Sequence, residues 1–514
     1  MLTSILSGGG EMVDTAFNDF IGLDSTKLWR GATGDELAGH LLWGDGVVRL
    51  GPAQDGRVKV TARGKDREGW VDAGALGGKS LLEVYFIDVG QGDGVLVKTP
   101  DFQHLMIDGG HSRTKQNTGK SAADFVDWKF TQDYGMDGIH LETMIASHND
   151  LDHYGGLADL LEAGQTDELD ARSVTVENFY HAGISWWRKD GKRTLGTLRA
   201  VDGKEYRTQL LEDRESALRA TDEDADMPLQ GEWGKFIKKV VSAKRADGSP
   251  TSVERLSHLA EYLPGFEPGG DVTMRLLGPA EFTIDGKPAL PDFGSDSKTT
   301  NGNSIVLRID YGRARVLLTG DLNKGSQQTL MDVHAGSRME FQCDVAKGCH
   351  HGSEDVSYAF LQAMTPAATV ICSGDGEGHD HPRPRIVAAS GVTGYRTIEN
   401  DEILTPLVYS TELARSVSIG SPTSLNIKPE AIAGVDEDVE IDSAHLQQVT
   451  VHFTETKPGA LNPERKQKPM SRTPVVAGLI YGLVNVRTDG ETILCATMNE
   501  GDGSWAVKKF KSRF

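Results

Sequence analysis

Cysteine is scarce in this chain, and long apolar runs are absent from it. The 514 residues include only four cysteines, and no two of them form a CxxC pair: Cys343, Cys349, Cys372 and Cys495. So low a count argues against a disulfide scaffold and is typical of a reducing compartment. No apolar run approaches the roughly 18 residues that a membrane helix needs. The N-terminal segment also lacks the basic start of a secretory signal. We therefore expect a cytoplasmic protein that does not cross a membrane.

Positive charge is also in deficit. Lysine and arginine number 54 against 75 aspartate and glutamate residues, which gives a net charge of −21. Such a protein repels polyanions at long range, so broad non-specific DNA binding is disfavoured, although a metal centre or a local basic patch can still hold a phosphate. The sequence also lacks a GxSxG elbow, a phosphate-binding GxxxxGK[ST] loop and a dinucleotide-binding GxGxxG turn.

The length exceeds that of one average domain. We expect a tail over 1–26, a small β-barrel over 27–78 and a catalytic domain over 79–514, with a largely helical insertion or lid at about 165–270. Short β-type runs separated by Gly and Asp turns predict the barrel, and its "REGWV" piece resembles bacterial Src-homology-3-like modules. That resemblance implies a recognition module that could dock peptides, a glycan-like ligand or a protein partner. We also expect a long loop over 278–303 and a C-terminal hairpin that completes the second sheet.

The stretch SHNDLDHYGG, residues 147–156, crowds two histidines and two aspartates into one turn. The apolar run LETMIAS precedes it, and a run with helical spacing follows, so the motif lies on a strand-to-helix turn. Divalent metal ions need several His, Asp or Glu groups within about 2.0–2.2 Å. His148 and Asp150 can serve one ion, and Asp152 and His153 a second.

Further ligand-type side chains follow later apolar strands. LLTGD ends in Asp321, KGCHHGS carries His350 and His351, and EGHDHP carries His379 and His381. Each group alone is also compatible with a tight turn or a surface histidine, but their recurrence at successive strand ends favours one shared sheet edge. We predict that Asp321 bridges two ions. The sequence leaves open which of His350 and His351 ligates; the other would protonate the leaving group.

These pieces, in this order, resemble the metallo-β-lactamase superfamily, and specifically the ComEC-type metallohydrolase domain of bacterial competence channels. The matching segments are FIDVGQGDGVLVKTP, HLMIDGG, SHNDLDHYGG, NSIVLRIDYGRARVLLTGDL, VAKGCHHGS and GHDHP. The resemblance implies a mixed α/β fold, an αββα sandwich with the metals at one edge of two facing sheets. The competence channel carries membrane segments, so only its hydrolase domain carries over.

The resemblance also implies roles for individual residues. The superfamily motif HxHxDH has Asp150 in place of its second histidine here, and an oxygen ligand makes Mn²⁺ plausible beside Zn²⁺. Asp108 and Asp93 are expected to orient the metal loop. His381 matches the last family histidine, as a ligand or substrate contact. His181 lies in the interval of the third-motif histidine, again as a ligand or substrate contact.

The predicted activity is metal-dependent hydrolysis by a water that two Zn or Mn ions activate. We assign catalytic roles to Asp152, His350 and His351, with His350 also contacting the substrate. A phosphodiesterase or nuclease is favoured, with a phosphoester or nucleic acid as substrate. The alternatives are a small-molecule ester, lactone or phosphoester hydrolase, and a non-catalytic metal-binding adaptor. The adaptor would keep its biological activity after Asp152→Ala and lose it on removal of residues 1–78.

Overall fold

The computed structural model describes residues 17–62, 68–116, 119–374, 381–411, 418–429, 437–455, 464–473, 475–477, 483–499 and 503–514. His379 and the first 16 residues of the predicted tail lie outside this described part. Among the described residues, no helix has the length and apolar character needed to cross a membrane.

The N-terminal sheet is antiparallel and has six strands. They are Asp19–Phe20, Ser25–Trp29, Leu37–Leu42, Gly46–Arg49, Arg57–Ala62 and Glu68–Asp72. Inward and outward residues alternate along Arg57–Ala62, as expected for a strand with one buried face. The buried side chains of these strands form a separate small core that includes Leu28, Val47 and Val60. The β-rich character of this region is confirmed, while its likeness to Src-homology-3 modules stays a prediction.

Two larger sheets form the frame of the remaining part of the molecule. The first sheet has nine strands, in the spatial order Ser252–Arg255, Val174–His181, Ile139–Ala146, His104–Gly109, Gly94–Lys98, Leu82–Ile87, Leu483–Thr488, Thr492–Asn499 and Ser504–Lys511. The second sheet has six strands, in the order Val272–Gly278, Val306–Tyr311, Ala314–Leu318, Val345–Lys347, Ala368–Ile371 and Leu407–Ser410.

Smaller hairpins and sheets decorate this frame. The pairs are Trp187–Lys189 with Lys192–Thr194, Thr397–Glu399 with Glu402–Thr405, Ser418–Gly420 with Val475–Ala477, Ser424–Ile427 with Val439–Asp442, and Thr450–Glu455 with Glu464–Pro469. A four-stranded sheet combines Leu198–Val201, Lys204–Arg207, Lys287–Pro291 and Phe282–Ile284. The α-helices are Ala122–Trp128, Leu151–Leu160, Arg214–Ala220, Gly231–Ser242, Asp296–Gly302, Lys324–Val333, Tyr358–Met364 and Pro384–Thr393.

Three apolar cores explain the layering. One core lies between the two large sheets and joins residues such as Phe86 of the first sheet to Met274 and Val316 of the second. A second core packs helices, among them Leu151–Leu160, on the outer face of the first sheet. A third packs helices Lys324–Val333 and Tyr358–Met364 on the outer face of the second sheet. The αββα sandwich predicted for this chain is therefore confirmed.

Three sequence-based expectations are wrong. The C-terminal hairpin joins the first sheet, where Leu483–Thr488 pairs with Leu82–Ile87. The predicted loop over 278–303 contains two strands and the helix Asp296–Gly302. The segment 165–270 is not largely helical, since it holds six strands and two α-helices. Two of those strands, Val174–His181 and Ser252–Arg255, extend the first sheet by parallel pairing.

The helical part of the segment 165–270 packs behind the metal motif, and the role of the segment as a lid stays a prediction. Its helix Gly231–Ser242 packs on the helix Leu151–Leu160, which follows the metal motif. Tyr154 stacks on Phe236 at 5.0 Å between ring centroids and meets Trp233 edge-on at 5.1 Å. All three rings are at most 4% exposed. Aromatic pairs of this kind bury large areas and fix orientation, so the segment buttresses the helix that carries Asp152.

A buried ion-pair network joins the N-terminal sheet to the sandwich. Arg487 is 2% exposed and lies 2.7 Å from Asp45 of the N-terminal part and 3.3 Å from Glu83 of the first sheet. Glu83 also pairs with Lys98 at 3.0 Å. Removing one partner from such a network leaves an uncompensated buried charge, so these residues hold the two parts in one relative position.

Trp233→Ala is expected to lower the free energy of unfolding by about 3–5 kcal/mol, because it empties a site in the core beside Tyr154. Urea unfolding followed by circular dichroism measures the loss. The matched control is Leu198→Ala in the same segment, where the side chain is 38% exposed and the change should stay within about 0.5 kcal/mol. Equal losses of unfolding free energy in the two variants would contradict the stabilising contact between Trp233 and Tyr154.

Candidate metal centre

The predicted ligands meet where strands of both large sheets end. Ile139–Ala146 runs parallel to its neighbours and delivers the chain to His148. In the second sheet, Ala314–Leu318 and Val345–Lys347 also run parallel, and they deliver Asp321 and His351. Carboxyl ends of parallel strands lie at one edge of a sheet. Because the two sheets face each other, these ends form one cluster.

The imidazoles converge on one oxygen of Asp321. Its Oδ2 lies 2.9 Å from Nε2 of His351 and 3.3 Å from Nε2 of His153. His148 joins His153 and Asp321 in one group whose ligand atoms all lie within 4.8 Å of one another. Asp152 forms a second such group with His153 and His351. Two further groups include Asp93, one with Asp108 and His153 and one with Asp321 and His351. The structure therefore brings together overlapping ligand sets that share His153, His351 and Asp321.

The donor set fits divalent metal ions. Nε2 of His148, of His153 and of His351 is buried, and within the described residues none of the three makes a hydrogen bond of acceptable geometry. Buried polar atoms are nearly always hydrogen-bonded in native proteins. Three unsatisfied nitrogens around one carboxylate are therefore typical of metal ligands rather than of a structural polar cluster.

The opposite ring nitrogens are held in place. Nδ1 of His153 lies 2.8 Å from Asp108 Oδ2, and Nδ1 of His351 lies 3.0 Å from the carbonyl oxygen of Cys372. Asp108 also accepts from the backbone N–H of Ser147 at 2.7 Å. Nδ1 donation to these oxygens fixes the tautomer that presents Nε2 to an ion. Asp108 thus lies where an orienting residue is expected.

Asp150 is held by a helix that sequence reasoning missed. From Asp296–Gly302, Thr300 donates its hydroxyl to Asp150 Oδ2 at 3.2 Å. The Asn301 amide nitrogen donates to the same oxygen at 2.8 Å in the orientation that satisfies both of its polar ends, and its oxygen then lies 3.3 Å from Nε2 of His350. The sequence feature that could have predicted this helix is Ser295, whose side chain accepts from the Lys298 N–H as a helix N-cap.

Lys347 is a second residue that sequence reasoning missed. It is 0% exposed, and its ammonium contacts the Asp93 carboxylate, donates to Gly320 O at 2.8 Å and lies 3.5 Å from Asp321 Oδ1. Burial alone would lower the pKa of Lys347, but Asp93 and Asp321 outweigh it and raise that pKa. The sequence feature that could have predicted this role is a lysine at the end of the otherwise apolar strand Val345–Lys347. Lysine is almost never buried without a partner, so a buried partner was to be expected.

Backbone strain is concentrated in the centre. Asp108, His350 and His351 adopt φ values of 57°, 47° and 53°, which side chains other than glycine rarely adopt. Such residues cost on the order of 1–3 kcal/mol each and persist where the surroundings fix them. A Cβ on Gly156 would lie 2.0 Å from Gly109 O, so glycine is required where the helix Leu151–Leu160 meets the neighbouring strand.

The remaining predicted residues lie around the cluster. His350 has a side chain 25% exposed, and its ring centroid is 6.0 Å from that of His381. His181 is buried beside the cluster, opposite Ala146 in the sheet, and its Nδ1 accepts from the Gly183 N–H at 3.1 Å. Within the described residues, none of these three histidines belongs to a close ligand group. Their predicted roles stay predictions, and His351, rather than His350, has the ligand geometry.

Burial and mutual charge shift the pKa values of the ligands. Burial, with Asp152 nearby, raises the pKa of Asp150 to about 7. Burial disfavours the charged form of His351, but Asp321 and Asp93 raise its pKa to about 9. Burial also opposes ionisation of Asp321, yet His351 and His153 hold the pKa of this carboxyl well below its usual range. In the absence of metal the cluster therefore binds protons that an ion must displace.

Comparisons with known proteins agree with this geometry. The family model described as the metallo-beta-lactamase superfamily matches residues 87–375. ComE operon protein 3 of Bacillus subtilis (strain 168) is 29% identical over 108 residues, which is 21% of this chain and 13% of that protein. Competence protein ComA of Neisseria gonorrhoeae is 35% identical over 101 residues, 19% of this chain and 14% of that protein. The chain thus matches a small share of either relative, and the ComEC-type resemblance is confirmed.

Solved structures resemble the chain only distantly. CmlA, a diiron β-hydroxylase from Streptomyces venezuelae, aligns with a TM-score of 0.29 and 11% identity, over 62% of this chain and 52% of that one. A diphosphatase of the PhnP family aligns with a TM-score of 0.26 and 11% identity, over 60% of this chain and 91% of that one. Scores this low carry no argument about activity.

Metal affinity is expected to rise with pH through about 7, because Asp150 is protonated below its raised pKa and a carboxylate must lose its proton to ligate. Calorimetric titration with Mn²⁺ across that range, in buffers of different ionisation enthalpy, measures affinity and proton release together. Asp150→Asn is the matched variant and should bind more weakly and release fewer protons. An affinity independent of pH would contradict the assignment of Asp150.

Proposed function

Because this chain belongs to the metallo-β-lactamase superfamily, whose members are generally metal-dependent hydrolases, we propose that it hydrolyses phosphodiesters at a pair of divalent ions. The residues proposed to hold the ions are His148, Asp150, Asp152, His153, Asp321 and His351. The observation that carries the proposal is the set of buried, unsatisfied imidazole nitrogens around Asp321. When bound, two such ions activate a water and stabilise the charge that develops on phosphoryl oxygens.

The chain's own residues divide the remaining work. Asp108 and the Cys372 carbonyl fix His153 and His351, so the ligand nitrogens are preorganised before an ion arrives. Thr300 and Asn301 hold one oxygen of Asp150 in the same way. His350 lies at the partly exposed margin of the cluster, beside Asn301 and His381. We assign it proton transfer to the departing oxygen. Burial lowers the pKa of His350, while the Asp321 carboxylate opposes that shift and favours the protonated form.

A phosphodiester is preferred over a carboxylic ester for two reasons. Paired ions suit in-line displacement at phosphorus, since one ion can serve the attacking oxygen and the other the leaving oxygen. One sequence relative is named a competence protein, and the ComEC-type resemblance implies nuclease and phosphoesterase relatives. The second candidate is a small-molecule hydrolase, which the net charge of −21 favours over an enzyme of long nucleic acids.

Protein reconstituted with Mn²⁺ or Zn²⁺ should hydrolyse bis-p-nitrophenyl phosphate, a cyclic dinucleotide or DNA. Asp152→Ala should lower kcat/KM by at least about a hundredfold, because it removes a predicted ligand that is also assigned a catalytic role. Asp332→Asn, an exposed position on an outer helix, is the control and should leave turnover unchanged. Hydrolysis of a lactone or thioester with no phosphoester turnover would overturn the proposal.

His350→Ala should act selectively. With a nucleotide phosphodiester, whose leaving oxygen must be protonated, kcat should fall by about 10²–10⁴-fold. With bis-p-nitrophenyl phosphate, whose leaving group departs as a stable anion, the loss should stay under about tenfold. Steady-state kinetics on both substrates make the comparison, and the exposed His445→Ala should change neither. An equal loss on both substrates would instead indicate a ligand or structural role for His350.

A further inference from the structure

Lys347 makes contacts that suit an internal counter-ion. It ends the strand Val345–Lys347 and is 0% exposed. Its ammonium meets three oxygens, from the Asp93 carboxylate, the Gly320 carbonyl and the Asp321 carboxylate. A fully buried ammonium is stable only where several oxygens replace water. Lys347 therefore links Asp321, which is the predicted bridging residue, to the Gly320 peptide and to Asp93, which precedes a strand of the first sheet.

The two oxygens of Asp321 have different surroundings. Oδ1 lies 3.5 Å from the Lys347 ammonium, whereas Oδ2 faces His351 at 2.9 Å and His153 at 3.3 Å. The backbone N–H of Asp321 donates to Ser304 Oγ at 3.0 Å. Lys347 also holds the Gly320 carbonyl at 2.8 Å. These contacts fix both the backbone and the carboxylate of Asp321. Oxygen Oδ1 then faces Lys347, and oxygen Oδ2 faces the two imidazoles.

The charges in the cluster also indicate that Lys347 is a counter-ion. The buried or partly buried carboxylates around it are those of Asp93, Asp108, Asp150, Asp152 and Asp321. Two divalent ions would supply four positive charges against these five negative ones. One ammonium brings the cluster to neutrality, and an uncompensated charge in such a place is strongly unfavourable. The Lys347 ammonium therefore supplies the fifth positive charge, which two divalent ions alone would not provide.

We propose that Lys347 is a positioning residue that reserves Oδ1 of Asp321, so that Asp321 bridges the two ions through Oδ2 alone. This proposal rests on the dinuclear centre of the proposed function and is independent of the substrate. A purely structural role, in which Lys347 only pairs with Asp93, is the alternative. The two roles predict different metal geometries when Asp93 alone is neutralised.

The experiment compares the full-length wild type, Asp93→Asn, and the double variant Lys347→Met with Asp93→Asn, each reconstituted with Mn²⁺. The double variant removes both buried charges together, which avoids leaving either unpaired. Elemental analysis counts the ions per chain. X-ray absorption measures the distance between the ions, and electron paramagnetic resonance measures their exchange coupling. Urea unfolding of the metal-free proteins reports whether each variant is folded.

Freed from the ammonium, Oδ1 can also ligate, so the double variant should show weaker coupling and a longer ion–ion distance, toward the upper end of the roughly 3.5–4 Å found in two-metal sites. Asp93→Asn keeps Lys347 on Asp321 and is the reference for the double variant, because any effect of losing Asp93 beside His351 is common to both variants. If the double variant does not fold, Lys347→Leu with Asp93→Asn, which likewise removes both charges and leaves no donor to Oδ1, is compared with Asp93→Asn in the same way.

Two results would overturn the proposal. One is an unchanged distance and coupling after the loss of the Lys347 charge; the other is the same change in Asp93→Asn, which would indicate the purely structural role. A wild type that binds fewer than two ions would overturn the dinuclear centre and this proposal with it. Two bound ions with a distance that depends on Lys347, but no phosphodiester hydrolysis, would uphold the positioning role and overturn only the proposed function.

Discussion

The structure depends on the accumulation of carboxylates in a place that is largely shielded from bulk water. Asp93, Asp108 and Asp321 are each at most 3% exposed, and charged groups so buried must be compensated. The compensation available in the chain is the Lys347 ammonium and the imidazoles of His153 and His351, whose pKa values the neighbouring carboxylates raise, and bound cations would replace the protons on these imidazoles. The strained backbone at Asp108, His350 and His351 is tolerated for the same reason, since each contributes to a cluster that cations complete.

Remote packing sustains this cluster. The helix Leu151–Leu160 begins with Asp152 and His153 and is held from behind by Tyr154, which stacks on Phe236. A displacement of about 1 Å in a ligand-bearing element is enough to impair such a site. The segment that contributes Phe236 therefore acts on the centre through packing. Its share of the first sheet, through Val174–His181, ties that packing to the strand ends.

How much the sequence predicts depends on how local each signal is. His148 through His153 lie on one strand-to-helix turn, so their spacing alone indicated a metal loop, and the strand-end positions of Asp321 and His351 were equally readable. Thr300, Asn301 and Lys347 act through contacts distant in sequence, and the helix Asp296–Gly302 is too short to show a period. The sequence indicated a C-terminal hairpin, but no local feature shows which sheet edge its strands join.

The same electrostatics constrains the substrate. Two divalent ions would offset only four of the 21 net negative charges, so the protein surface as a whole would stay net negative in the metal-loaded protein. A long polyanion feels the whole field of that surface, whereas a short phosphodiester feels mainly the local charge within a Debye length of about 8–10 Å. The proposed metal centre would attract a phosphoryl group, whereas the net negative charge opposes the approach of extended DNA. This combination favours a short phosphodiester, or a single-stranded end presented at the centre, over the body of a long duplex.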